Sequence, residues 1–156
     1  MSKEFASALL ALAILTGAAG ARADTLKAEP GQWKTTVVSQ GGSSPGTPRT
    51  TAHCITQKDI DEFGDKMAAA QQARTPADVK CQRTVFNQTS SAVDWKFECS
   101  GKITMVSEGS IKFDSPTHYT GTIKMNGSAN GAPITNSLTM EGTRLGACTD
   151  APGAAH

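Results

Sequence analysis

The chain has 156 residues, with 15 basic and 14 acidic side chains and a formal net charge of +1. That balance excludes the basic footprint of a nucleic-acid binder and argues against electrostatic attachment to an anionic membrane surface. The length suits one domain burying about two-thirds of its unfolded surface, and with only 5% aromatic residues its core must rely on Val, Ile, Leu, Met and a handful of rings.

Residues 1–23 read as a signal peptide. Lys3 gives a positive start, ASALLALAILTGAAG is the apolar stretch, and Ala21 to Ala23 form an A-x-A cleavage site. The mature chain is therefore expected to begin at Asp24. The apolar run is too short, and too rich in Gly and Ala, for a membrane span of about 20 apolar residues. Lys3, Glu4 and Arg22 leave with it, so the remaining charges balance. No cysteine follows the cleavage site to carry a lipid anchor. The expectation is a periplasmic or secreted protein with no membrane anchor, built as a single domain over residues 24–150 with a frayed tail at 151–156.

The mature part opens with EPGQWKTTVVSQ, whose β-branched residues after Pro-Gly predict a strand. GGSSPGTP is a loop of breakers, and RTTAHC is the returning strand of a first hairpin. A helix follows over about residues 56–72. Thr56 stands as its N-cap with Asp59 three residues on, an acidic variant of the capping box. Ile60, Phe63 and Met67 share one face, and Asp59, Asp61 and Glu62 crowd the end where the helix dipole favours negative charge. Pro76 marks the end of this segment.

The period then changes from helical to alternating. KCQRTVFNQT, AVDWKFECS, KITMVSEGSIKF, HYTGTIKMN and ITNSLTMEG predict successive strands, and TRLGAC closes the domain. Short turns between them imply an antiparallel meander, apolar on one face and polar on the other. The fold class is mainly β: a strongly curved sheet or open up-and-down barrel with one helix that plugs or flanks its apolar side.

Cys54, Cys81, Cys99 and Cys148 all follow the signal peptide, and an even count in an exported chain reads as two disulfides. No pair has C-x-x-C spacing and no histidine stands close enough to complete a zinc site. A redox-active pair would want adjacent cysteines with a lowered thiol pKa. Four cysteines allow three pairings.

PGQW at 30–33, CIT at 54–56, Cys81, W-x-x-x-C at 95–99 and GTRLGAC at 142–148 occur in an order that resembles the bacterial exported family DUF3617, over nearly all of residues 29–148. The resemblance implies a small β-rich exported domain and no activity. Two bridges are expected within such a domain: Cys54–Cys81, tying the ends of the helical segment, and Cys99–Cys148, tying the last strand to the middle of the sheet.

Chemical motifs are sparse. There is no G-x-S-x-G, S-x-x-K or H-E-x-x-H, NGSANGAP lacks the ending of a phosphate loop, and DIDEF lacks the ligand spacing of a calcium loop. No cofactor is implied. The leading expectation is a non-enzymatic module that binds a small apolar ligand or an envelope protein, using Trp33, Trp95, Met105, Tyr119 and Met125. One rival is a hydrolase built around His53 or His118 with an acid such as Glu108 or Asp94. Another is a Cu(I) or oxidant buffer in which Met105, Met125 and Met140 converge on the apolar face; the plainer role of those methionines is core filler.

Overall fold

The computed structural model describes residues 24–41 and 45–148. The expected signal peptide, the middle of the first hairpin loop and the C-terminal tail lie outside those residues. Seven strands form one antiparallel sheet: β1 (Gly31–Ser39), β2 (Pro48–Ile55), β3 (Val79–Gln88), β4 (Ala92–Gly101), β5 (Ile103–Ser115), β6 (His118–Ala129) and β7 (Ala132–Gly146). Their spatial order is β2-β1-β7-β6-β5-β4-β3, so the sheet does not close and its two edges are β2 and β3.

These edges are consecutive in the chain, so the link between them must cross the width of the sheet. That link is helical. α1 (Gln57–Asp61) and α2 (Phe63–Arg74) replace the single expected helix, with a break at Glu62, whose backbone (φ −100°, ψ 19°) leaves the helical range. The start is where the sequence puts it. Thr56 Oγ1 accepts from the Asp59 backbone N–H at 3.2 Å, and the Asp59 carboxylate accepts from the Thr56 N–H at 2.7 Å. Each bond satisfies a helix-end donor that would otherwise lack a partner.

The alternation read from the sequence places one side of every strand inward. On β4 the inward residues are Val93, Trp95, Phe97 and Cys99, all buried. Val93, Trp95 and Phe97 form the core with Leu26, Ile60 and Ile111, and Phe63, Met67 and Phe86 pack against it. The helical link thus lies over the inner face. On β3 the register shifts between Arg83 and Val85. The extra residue reverses the alternation, so Phe86 rather than Val85 meets Trp95 across the strands, and Val85 is left exposed. Between HYTGTIKMN and ITNSLTMEG the breakers of GSANGAP (127–133) predict a loop. The strands instead run on to Ala129 and Ala132, joined by Asn130-Gly131, both at positive φ (50° and 80°). An Asn-Gly pair between strands is the sequence signal for such a two-residue turn.

The cysteines form two disulfides, but not in the expected pairing: Cys54 joins Cys148, and Cys81 joins Cys99. The expectation tied Cys54 to Cys81 across the helical segment and Cys99 to Cys148 from the last strand to the middle of the sheet. Register overrides it. Cys81 stands directly opposite Cys99 on neighbouring strands, and Cys54, at the end of edge strand β2, meets the chain as it leaves β7. In consequence each foot of the helical link is stapled to the sheet. Thr75 Oγ1 on the far foot also lies 3.5 Å from the Cys81 sulfur.

Candidate functional site

A groove of about 390 Å³ runs between the helical link and the inner face of the sheet. Its walls come from four parts of the chain, one of them the end of β2 with His53, Cys54 and Ile55. β1, β5 and β6 contribute Trp33, Ile111, Phe113 and Tyr119; the helices contribute Ile60, Phe63 and Met67; the segment before β1 contributes Leu26 and Ala28. This volume lies within the range of about 300–1,000 Å³ typical of small-molecule sites, which are mostly apolar.

The aromatic wall is held rigidly. Trp33, 1% exposed, packs its ring against Tyr119 (centroids 5.6 Å apart) and edge-on to Phe113 (6.4 Å). The polar tips of the wall are already engaged. Trp33 Nε1–H donates to the Glu29 carbonyl at 3.1 Å, and the Tyr119 hydroxyl is 3.0 Å from Thr35 Oγ1. The interior therefore offers a ligand apolar surface and little else.

Residues 24–30 form a strap that the sequence reading passed over. Its backbone is pinned to two hairpin turns, Lys27 N–H to the Ser90 carbonyl and Glu29 N–H to the Pro116 carbonyl, both at 2.8 Å. Leu26, 4% exposed, turns into the groove. The signal was present: Leu26 and Ala28 alternate with Lys27 and Glu29, the period-two pattern of a chain lying on an apolar surface.

The polar groups at the groove are His53, Asp59 and Lys66. Lys66 forms a short ion pair with Asp59. That contact, joined by the bonds from Thr56, holds the Asp59 carboxyl well below the usual carboxylate range, and the same contact raises the Lys66 ammonium.

Of the expected ligand residues, the structure brings Trp33 and Tyr119 together in the groove wall. Trp95 lies in the adjoining core under the helices. Met105 and Met125 are on the inner face but toward its other end, outside the groove. The methionines do not stand abreast. Met105 is opposite Gly127, Met125 opposite Ser107, and Met140 opposite Gly121. Met140 is thus four positions along β6 from Met125, about 13 Å at the rise of a strand. The convergence the copper reading required is absent, because the register staggers residues that alternation alone would align. Among the described residues, no three His, Cys, Asp or Glu side chains are placed to hold a metal ion.

The two histidines part company. His53 stands opposite Trp33 in the β1–β2 register and is exposed at the groove. His118 is on the opposite face of the sheet. Its Nδ1 is 2.8 Å from Asp114 and its Nε2 3.0 Å from Glu141, so its acids are not the expected Glu108 or Asp94. Hydrogen bonds to Glu141 and then Asp114 raise its pKa above the ordinary histidine value. Glu108 is paired instead with Lys96.

The family model for DUF3617, a protein family of unknown function, matches residues 28–148. The chain belongs to the DUF3617 family. No curated protein and no solved structure matches it significantly. The matched span of this DUF3617 protein begins at Ala28, inside the strap, and ends at Cys148, so both disulfides and the whole groove except Leu26 fall within it.

Proposed function

We propose that this DUF3617 domain is a non-enzymatic binding module of the cell envelope or its exterior, and that its site is the groove beneath the helical link. The observation that carries the reading is the groove itself: about 390 Å³ of apolar space walled by rigid aromatic rings whose polar atoms are already bonded. Filling such a space removes apolar surface from water at about 25 cal/mol per Å². Two disulfides support an oxidising compartment, and no described helix is long and apolar enough to cross a membrane.

His53 and His118, the histidines among the described residues, support a non-enzymatic role. Both ring nitrogens of His118 are held by carboxylates on the face away from the groove. His53 bonds no acid among the described residues, so neither histidine is arranged as a base beside a nucleophile.

Thermal denaturation of the disulfide-intact protein with a series of alkyl compounds tests the reading. A ligand at 100 times its dissociation constant should stabilise by about 2.7 kcal/mol and alter the tryptophan fluorescence. A melting temperature and emission spectrum unchanged across the series would overturn it.

A further inference from the structure

We infer that the groove takes an amphiphile with one apolar chain and a carboxylate head, and that the head docks on Lys66. The inference rests on the binding reading above and adds the chemistry of the ligand.

The chain end follows from the interior. A polar head pushed into the groove would lose its water and find the Trp33 and Tyr119 polar atoms already occupied. A buried polar group without a partner is costly, so the head stays at the mouth.

The sign of the head follows from how the mouth is wired. The Asp59 carboxylate is already engaged. One oxygen accepts from the backbone N–H and hydroxyl of Thr56, at 2.7 and 2.6 Å, and the other accepts from Lys66. Asp59 is thereby part of the helix cap. Lys66 is different. An ammonium has three N–H donors, and its only hydrogen-bond partner among the described residues is Asp59. Its side chain is 49% exposed and lies at the groove. His53, the other polar group at the groove, adds one ring donor and one acceptor, so the capacity that remains at the mouth is chiefly donor capacity, and Lys66 is its cation. A carboxylate has the acceptors and the charge to use it. An alkylammonium head would meet Lys66 as a like charge. A phosphate's extra charge adds attraction to Lys66 and repulsion from Asp59 alike, while its stronger hydration costs more to strip at the mouth.

Titration of the disulfide-intact protein with dodecanoate, dodecanol, dodecylammonium and dodecyl phosphate, read by tryptophan fluorescence, decides the matter. The expected result is dodecanoate about tenfold tighter than dodecanol, the value of one charge-assisted hydrogen bond, with dodecylammonium weakest and dodecyl phosphate below dodecanoate. K66M should bring dodecanoate down to the level of dodecanol, and K66R should keep the preference. Circular dichroism of both variants checks that they fold. Equal affinity for dodecanoate and dodecanol would overturn the assignment of the head, as would tightest binding of the phosphate or the ammonium, or a preference that survives in K66M. Binding of none of the four would instead overturn the groove reading beneath it.

Discussion

Gly109 on β5 stands opposite Trp95 on β4, and the indole occupies the space beside it. A Cβ at Gly109 would sit 2.1 Å from Trp95 Cζ2, well inside contact distance. The glycine is the space into which the tryptophan folds, and the ring in turn supports the core under the helices. G109A is expected to destabilise by about 1–3 kcal/mol, the usual cost of overpacking, measured as a fall in the urea midpoint. An unchanged midpoint would show that the ring has room elsewhere. His118 sets a different kind of prediction. Its pKa is raised in the folded state by Glu141 and Asp114. A raised basic group stabilises fully below its unfolded value, about 6.5, and that stabilisation is lost as pH rises through the folded value. The urea midpoint should therefore fall across that window, modestly, since the His118 side chain is 27% exposed. H118N should flatten the slope; a slope that persists in H118N would assign it to another group.

At the scale of elements, the helical link is the part with least of its own to hold it. α2 has no buried residue. Besides half-buried Phe63 and Met67, which pack on the core, what fixes it is its feet. Near the first, Cys54–Cys148 closes a separation of 94 residues; near the second, Cys81–Cys99 closes 18. On the chain-entropy account these bridges contribute about 4–5 and about 3 kcal/mol. C54S/C148S should lower global stability more than C81S/C99S in urea. C81S/C99S should raise hydrogen exchange in α2 more, because Thr75 and Gln71 lie against the Cys81 sulfur. The reverse order in either measurement would detach the link from its staples. Between the feet, the Asp59–Lys66 pair joins α1 to α2 across the break at Glu62. One contact thus shapes the link and presents a cation at the groove.

At the scale of the molecule, the open sheet and the groove have the same origin. The strand order leaves β2 and β3 unpaired with each other, and the connection that must span them passes over the apolar face. The space left beneath that arch is the groove. Much of this could be read in advance. Strict alternation in VDWKFECS named the inward residues of β4, because a strand's side chains change face at every step. The Thr56 cap and the Ile60, Phe63 and Met67 stripe named the helix start and its inward side, because those signals are local in the chain. The DUF3617 resemblance rested on short motifs that the chain carries in order.

What the sequence could not decide were the relations between distant residues. Cysteine pairing needed the register that sets Cys81 beside Cys99, and a one-residue slip would have changed it. Trp33 and Tyr119 were both legible as inward aromatics, but only the strand order placed their rings together. The methionine convergence failed for the same reason, since alternation fixes the face and not the position along it. Local periodicity, set by bond geometry, determined which way each side chain points. Only the tertiary structure, where non-local pairing and burial compete, decided which of them meet.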